Sequence, residues 1–334
     1  MLVSLVMTVH NGEEYLKEAI DSILAQTYPN LEIIIVNNCS TDSTSAILKE
    51  IYDERVKVIH LDANEGAANG LNAGIAQAEG EWIAIHDADD ISMPDRIEEQ
   101  VAYVLKNPHV VAIGSFIECI PGNNFSESAG NNFRLIEGLK NSIVSWEQFK
   151  EELFKGCPFT HGSLLISKQV LLRVGKYNPN YKIAYDYDLV MRLAYAGPIE
   201  NVPKVLYKYR IHQNSLSNSN ALGTSNELLI IGTKYIWKYC FPYKMDKLNV
   251  IVFGSKEGCE VFKELMSIEK SAEVQVMISD FSDLTAEEAY MSYKLGRTDA
   301  FIILPAPQRY DFVEFLTNKG LRLNKDLFLL WSAL

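Results

Sequence analysis

Leu31-Glu32-Ile33-Ile34-Ile35-Val36 is apolar at every position but Glu32, and the polar run Asn37-Asn38-Cys39-Ser40-Thr41-Asp42 follows it directly. Consecutive β-branched residues without alternation predict a strand buried on both faces, as in the middle of a parallel sheet. On its N-terminal side, Leu2–Val9 is a second β-rich run. Between the two, Glu13–Leu24 carries Tyr15, Leu16, Ala19, Ile20 and Ile23 at helical spacing. On its C-terminal side, Ser43–Tyr52 reads as a helix that Thr41 or Asp42 would cap. Val56–Leu61 then reads as a strand, Ala67–Ala78 as a helix and Glu81–His86 as a fourth strand. This alternation predicts an α/β fold, a doubly wound, mostly parallel sheet. Ligands of such sheets bind beyond the carboxyl ends of the strands, which singles out Thr8–Gly12, Asn37–Asp42, Asp62–Gly66 and Asp87–Asp90.

The whole chain has 334 residues, 48% of them hydrophobic and 22% charged, the composition of an ordinary globule. Its net charge of −12 comes from 43 acidic and 31 basic residues, with most of the acid excess before Asn220. A polyanion-binding surface needs clustered Lys and Arg, so nucleic acid is excluded as a partner. The acid excess suits a site that holds a divalent cation. The apolar run Leu2–Val9 lacks a basic flank and a cleavage motif, and no stretch reaches the ~20 apolar residues of a membrane span. The five cysteines are scattered and form no CxxC pair, so they read as reduced thiols. A cytoplasmic protein is expected.

The segment His86-Asp87-Ala88-Asp89-Asp90 puts three carboxylates at the end of a strand. Alternation along an extended backbone would set Asp87 and Asp89 on one side, where they repel unless a cation neutralises them. Oxygen ligands of this kind select Mg²⁺ or Mn²⁺, whose remaining positions suit phosphate oxygens. The competing reading is a capped turn, with Asp89 or Asp90 at the start of a helix near Pro94. The residues alone leave both open.

A series of short motifs, in order, resembles the family-2 inverting glycosyltransferases over residues 1 to about 217. They are Thr8-Val9-His10-Asn11, Gln26-Thr27-Tyr28-Pro29-Asn30, Ser40-Thr41-Asp42, Asn64-Glu65-Gly66, Asn72-Ala73-Gly74-Ile75, Asp87-Ala88-Asp89-Asp90 and Met93-Pro94-Asp95-Arg96. His161-Gly162-Ser163, Val174-Gly175-Lys176-Tyr177, Asp186-Tyr187-Asp188-Leu189 with Arg192, and Tyr209-Arg210-Ile211-His212 continue it. The resemblance implies a GT-A fold, a nucleotide-diphospho-sugar donor and a Mn²⁺ or Mg²⁺ ion between the donor phosphates and Asp89. It implies that Thr8, Val9, His10, Asn11, Asn38, Asn72, Asp87 and Ala88 line the donor, and that Asp186 is the general base at the acceptor hydroxyl. Asp188 competes with Asp186 for that role, because one of the two could instead cap the helix starting near Tyr185. His212 reads equally as a third metal ligand or as a surface histidine. His161 reads as ordering the acceptor side or as packing internally. The acceptor implied is a cell-surface glycan or a lipid-linked sugar.

The match departs at three places. Asn37-Asn38-Cys39-Ser40 stands where the family carries Asp-Asp-Gly-Ser or Asn-Asp-Gly-Ser, Leu71 replaces an arginine, and Tyr185 replaces the glutamate before the base. Uridine is the first expectation for the donor base, with thymidine, cytidine and guanosine open. Two rivals follow. A nucleotidyltransferase would need a Gly-rich basic loop after the first strand, and Thr8–Glu14 holds one Gly and no Arg or Lys. A non-catalytic nucleotide-sugar or partner-binding module of the same fold is the alternative that the departures motivate.

Three parts are expected: a catalytic domain over 1–220, a helical connector over 221–246 and a small Rossmann-like domain over 247–334. Within the first, Gly122–Asn132 is rich in Gly, Asn and Ser and reads as a loop. In the last, Gly254-Ser255-Lys256-Glu257-Gly258 follows a strand and opens a helix, but its spacing lacks one glycine of a dinucleotide fingerprint. Oligomerisation or acceptor placement is the favoured role for that domain. The connector mixes Lys234, Lys238 and Lys244 with Tyr235, Trp237, Tyr239, Phe241 and Tyr243. Such a segment suits peripheral contact with the inner face of a membrane or a seam between domains, and the net acidity favours the seam.

Overall fold

The computed structural model describes residues 1–123, 130–213, 215 and 220–331. The predicted loop over Gly122–Asn132 falls mainly on 124–129, outside the described residues. The chain divides into two compact units, Met1–Lys150 with Cys157–Asn218, and Glu151–Gly156 with Ser219–Leu334.

The first unit is built on an eight-stranded sheet. Its strands are β1 (Val3–Val9), β2 (Leu31–Asn37), β3 (Val56–His60), β4 (Trp82–Asp87), β5 (Ile91–Ser92), β6 (Ala112–Pro121), β7 (Leu165–Ser167) and β8 (Ile199–Ile211). Their order is β3-β2-β1-β4-β7-β6-β8-β5. β1, β2, β3 and β4 pair in parallel, as does β6 with β8, whereas β7 and β5 run antiparallel to their neighbours. The expected doubly wound, mostly parallel sheet is therefore present. Ile33, Ile34, Ile35 and Val36 of β2 are fully buried. Glu32, the one polar residue of that run, accepts the Ser4 hydroxyl and the backbone N–H groups of Glu79 (2.6 Å) and Gly80 (3.0 Å). It is a clamp at the amino end of the sheet.

Helix α1 (Leu16–Leu24) buries Leu16, Ala19, Ile20 and Ile23 against the sheet, worth roughly 1.5–3 kcal/mol for each large side chain. Helix α2 (Thr44–Lys49) is shorter than the expected Ser43–Tyr52: Ile51 still packs on the core, but Tyr52 is 94% exposed and the chain turns at Asp53, whose Oδ1 accepts Arg55 N–H (2.9 Å). Asp42 holds its start by accepting from Thr44 N–H (2.9 Å), and also accepts from Glu13 N–H (3.0 Å). Helix α3 (Ala67–Gln77) lies so close to β1 that a Cβ on Gly70 would sit 2.2 Å from Thr8 Oγ1 and one on Gly74 2.5 Å from Val6. α4 (Arg96–Lys106), α5 (Gly130–Lys140), α6 (Trp146–Glu152), α7 (Lys168–Arg173) and α8 (Tyr185–Ala194) complete the unit, α6 running past its boundary.

β6 and β8 do not match residue for residue. Ser115 pairs with Val202, Phe116 with Val205 and Ile117 with Tyr207, so β8 carries extra residues at Pro203 and Lys204, both exposed, and at the buried Leu206. Lys204 anchors the bulge to α4 by ion pairs to Asp95 (2.6 Å) and Glu99 (2.7 Å).

The second unit contains the helix Ala221–Tyr235 and a four-stranded parallel sheet, with β9 (Leu248–Phe253), β10 (Ala272–Ile278), β11 (Ala300–Ile303) and β12 (Leu327–Leu329) in the order β10-β9-β11-β12. Phe253 stacks on Phe312 at 4.5 Å in its core. Ser255 caps the helix Lys256–Glu269 through Gly258 N–H. Among the described residues no helix is long and apolar enough to cross a membrane, and all five cysteines are free.

Candidate active site

Parallel register places the ends of four strands at one level: Val9 opposite Asn37, Thr8 opposite Asp87, and Asn37 opposite His60. The residues that follow therefore gather along one edge of the sheet. Val9 is buried and contributes its carbonyl, which accepts from Asn38 N–H (2.8 Å). Thr8 is half-buried beneath α3. His10 and Asn11 are exposed and bridge the β1 and β2 turns: His10 Nδ1 bonds the Asn38 carbonyl (2.9 Å), and Asn11 Oδ1 accepts Thr41 N–H (2.8 Å). Asn38 is 2% exposed. Its Oδ1 accepts Glu65 N–H (3.0 Å) and its Nδ2 donates to Asn64 Oδ1 (3.1 Å), tying the β2 turn to the loop after β3. Cys39 adopts the left-handed region (φ 57°) that a glycine would occupy without strain.

Asn72 lies on α3, and its amide is engaged twice by the backbone of Tyr177, donating to the carbonyl (2.9 Å) and accepting from the N–H (3.0 Å). Its neighbour Leu71 points into the core at 2% exposure.

The carboxylate segment differs from an extended strand. β4 stops at Asp87, and Ala88 and Asp89 form a turn, so a turn rather than pleat alternation sets the two carboxylates. Asp90 does not cap the next helix. It is 1% exposed and its Oδ1 accepts Arg210 N–H (2.7 Å), fixing β8 to the segment. Burial, then the charges of Asp89 and Asp87, hold the Asp90 carboxyl well above the ordinary carboxylate range. Asp89 and Asp87 are half-buried and face different partners. Asp89 Oδ2 meets His212 Nε2 at 2.8 Å, and its carbonyl accepts from Arg210 Nε (2.7 Å). Arg210 also pairs with Glu18 and lies over the Tyr15 ring at 4.5 Å. The His212 ring packs at 5.1 Å from the same tyrosine, so the end of β8 is held from α1 as well.

Asp87 Oδ1 faces His161 Nδ1 at 3.4 Å, and a Cβ on Gly162 would fall 2.6 Å from Asp87 Oδ2, so only glycine leaves that carboxylate room. Burial raises the Asp87 carboxyl, but the His161 imidazole more than offsets it and leaves the group below its usual value. Burial correspondingly depresses His161, while Asp87 and then Asp186 lift it to a net rise. Asp186 also raises the hydroxyls of Tyr177 and Tyr185, behind burial and Asp87. The two carboxylates therefore flank one aromatic cluster. His161 is packed edge-on against Tyr177 and Tyr185, both at 5.6 Å between ring centres.

Asp186 and Asp188 differ sharply. Asp188 is 1% exposed and its Oδ2 accepts both Arg192 Nε (3.0 Å) and Nη2 (2.6 Å) one helical turn on. Asp186 is half-buried in the first turn of α8, where its Oδ1 accepts Tyr187 N–H (2.7 Å).

Among the described residues no three His, Cys, Asp or Glu side chains converge to hold a cation by themselves. One carboxylate oxygen and one imidazole, Asp89 and His212, fit a cation whose other positions are filled by phosphate and water, the habit of Mg²⁺ and Mn²⁺. Tyr207, which the sequence did not single out, accepts Asp87 N–H through its hydroxyl (3.2 Å), and Arg96, the fully buried last residue of the Met93–Arg96 motif, donates through its guanidinium to the Ile85 carbonyl (2.8 Å).

Such an edge, where polar turns and a carboxylate pair meet beyond a mostly parallel sheet, defines an α/β enzyme of the GT-A type. In S. aureus TarS 1-349 in complex with UDP-GlcNAc the same fold recurs, with a TM-score of 0.56 over 80% of this chain and 80% of that one, at 16% identity. An uncharacterized glycosyltransferase of Haemophilus influenzae is 37% identical over 221 residues, 65% of this chain and 68% of that protein. The putative glycosyltransferase EpsE of Bacillus subtilis is 31% identical over 62% of this chain and 72% of its own length. Residues 4–174 match the family model described as glycosyl transferase family 2. The chain belongs to that family and is a glycosyltransferase.

Proposed function

We propose that the protein is a metal-dependent, inverting glycosyltransferase. It moves a hexosyl group from a nucleoside-diphosphate sugar to a hydroxyl of a glycan or lipid-linked acceptor. The observation that carries this reading is the 2.8 Å approach of Asp89 Oδ2 to His212 Nε2, two side chains from separate ends of the unit. Together they would hold Mn²⁺ or Mg²⁺, which when bound supplies counter-charge to the diphosphate. Thr8, the β1 and β2 turns and Asp87 line the donor. Asn38 Oδ1 keeps one lone pair after binding Glu65, enough to accept an imino N–H such as that of uracil, so a UDP-sugar is the first donor to try.

A sugar hydroxyl is a poor nucleophile until its proton is taken as it attacks. Asp186 performs this step: its carboxylate accepts the acceptor's proton while the oxygen attacks the anomeric carbon from the face opposite the diphosphate, inverting it in one displacement. The Arg192 pair keeps Asp188 out of that role.

A thermal-shift panel of UDP, dTDP, CDP and GDP, each with Mn²⁺ and with EDTA, tests this reading without an acceptor, since ligand binding stabilises the native state. One nucleotide should raise the melting temperature with Mn²⁺ only, and Asp89→Ala should abolish the rise. Four unmoved melting curves at millimolar nucleotide would sink the donor site.

A further inference from the structure

His161 is 8% exposed and both its ring nitrogens are occupied. Nδ1 faces Asp87 Oδ1 at 3.4 Å and Nε2 bonds the Tyr177 hydroxyl at 2.8 Å. Tyr177 is itself fixed by its backbone, gripped on both sides by the Asn72 amide of α3. α3 in turn packs through Gly70 onto Thr8. A continuous chain of contacts thus runs from the roof over Thr8, through Asn72, Tyr177 and His161, to Asp87. Its members come from four separate segments, so no local propensity accounts for their meeting. Asp87 also needs a partner. It lies in a segment with Asp89 and Asp90, its charge and that of Asp186 act on the same tyrosines, and converging carboxylates repel. Among the described residues, the side chain that meets this carboxylate is the His161 imidazole.

We infer that His161 is a positioning residue: it fixes the Asp87 carboxylate for the donor and, through Tyr177 and Asn72, locks it to the helix that roofs the nucleotide pocket. This rests on the reading of Asp87 as a donor-binding group. His161 touches neither donor nor acceptor in this assignment. Its effect is on how well the donor is received, not on the proton transfer at Asp186.

Two substitutions separate the ring's two contacts. An asparagine amide reaches the position of Nδ1, so His161→Asn keeps a donor toward Asp87. A glutamine amide reaches the position of Nε2, so His161→Gln keeps the Tyr177 contact and leaves Asp87 alone. Affinity for UDP, dTDP, CDP and GDP in Mn²⁺ is measured calorimetrically on the full chain, beside the melting temperature without nucleotide. For the nucleotide that wild type binds best, His161→Asn should stay within about threefold, and His161→Gln should weaken binding about tenfold, the usual effect of removing a hydrogen bond to a charged group. The two should melt alike, because a packing role would penalise both equally. Tyr177→Phe, which keeps the ring and removes only the hydroxyl, should weaken binding by about threefold and stands in if His161→Gln does not fold. Equal affinities in all variants, or equal losses in the asparagine and glutamine variants, would overturn the inference while leaving the donor site intact. A wild-type chain that binds none of the four nucleotides would take down the donor-site reading and this inference with it.

Discussion

Replacing Asp186 and Asp188 by asparagine, one at a time, should produce opposite failures. Asp188 is 2% exposed at its side chain and accepts two N–H groups of Arg192, itself 14% exposed. Breaking a buried pair from one side typically costs 3–5 kcal/mol, because the remaining charge is stranded. The slight exposure of Arg192, and one N–H that an amide oxygen can still accept, place Asp188→Asn near the low end, about 3 kcal/mol. For a unit of this size that lowers the melting temperature by roughly 6–12 °C. Asp186 is different. Its one hydrogen bond, from Tyr187 N–H, is equally available to an asparagine oxygen, so stability should change by less than about 0.5 kcal/mol. Turnover should instead fall by about 10²–10⁴, the range for loss of a general base. Urea denaturation gives the first quantity, and release of nucleoside diphosphate from sugar nucleotides gives the second. A stable Asp188→Asn protein with no turnover, beside an active Asp186→Asn protein, would refute the assignment and exchange the two roles.

Two smaller effects follow from individual backbone and burial features. Cys39→Gly should raise stability by about 1 kcal/mol in the same urea experiment, since the left-handed φ of 57° disfavours any Cβ and the thiol's contact with the Asp62 carbonyl is long at 3.5 Å. His86 is fully buried, and burial, aided by the Arg96 charge, lowers its pKa to about 3. The unfolded chain therefore takes up a proton below about pH 6.5 that the folded chain refuses, so this contribution to stability is lost as pH falls from there toward 3. Stability curves of wild type and His86→Phe between pH 7 and 5 should diverge by about 1.4 kcal/mol per pH unit once below 6.5, the wild type falling faster. Parallel curves would contradict it.

Much of the first hundred residues was legible because burial there follows local pattern. Leu31–Val36 lies inside β2, and β1 lies inside Leu2–Val9, since an apolar run bounded by turn residues has one place to go. The end of α2 was misjudged because helical spacing continues to Ile51, which packs on the core from outside the helix while the chain turns at Asp53 toward β3. Asp87 and Asp89 were singled out on a pleat assumed to run on, but the strand ends at Asp87. What remained out of reach are pairings across long stretches of chain. Nothing near His161 announces Asp87 and Tyr177 as its neighbours, and nothing near Asn72 shows that its amide is taken by the Tyr177 backbone. The choice between Asp186 and Asp188 was open in sequence because both sit one turn from the helix start. The structure distinguishes them by the Arg192 side chain, which folds back on the second, and our proposal of Asp186 as base rests on that difference.

The exposed bulge of β8 at Pro203 and Lys204 bears on how such chains can vary in length. Pairing resumes at Tyr207 opposite Ile117 and runs in step to Ile211 opposite Pro121, and that short stretch alone sets where Arg210 and the following His212 project. An added residue in the bulge would enlarge a solvent-facing kink and leave both side chains aimed at Asp89. One added between Tyr207 and Arg210 would turn them to the opposite faces of the sheet. The bulge is a tolerance joint: insertions and deletions can accumulate there without misaligning the residues downstream, while the next few positions admit none.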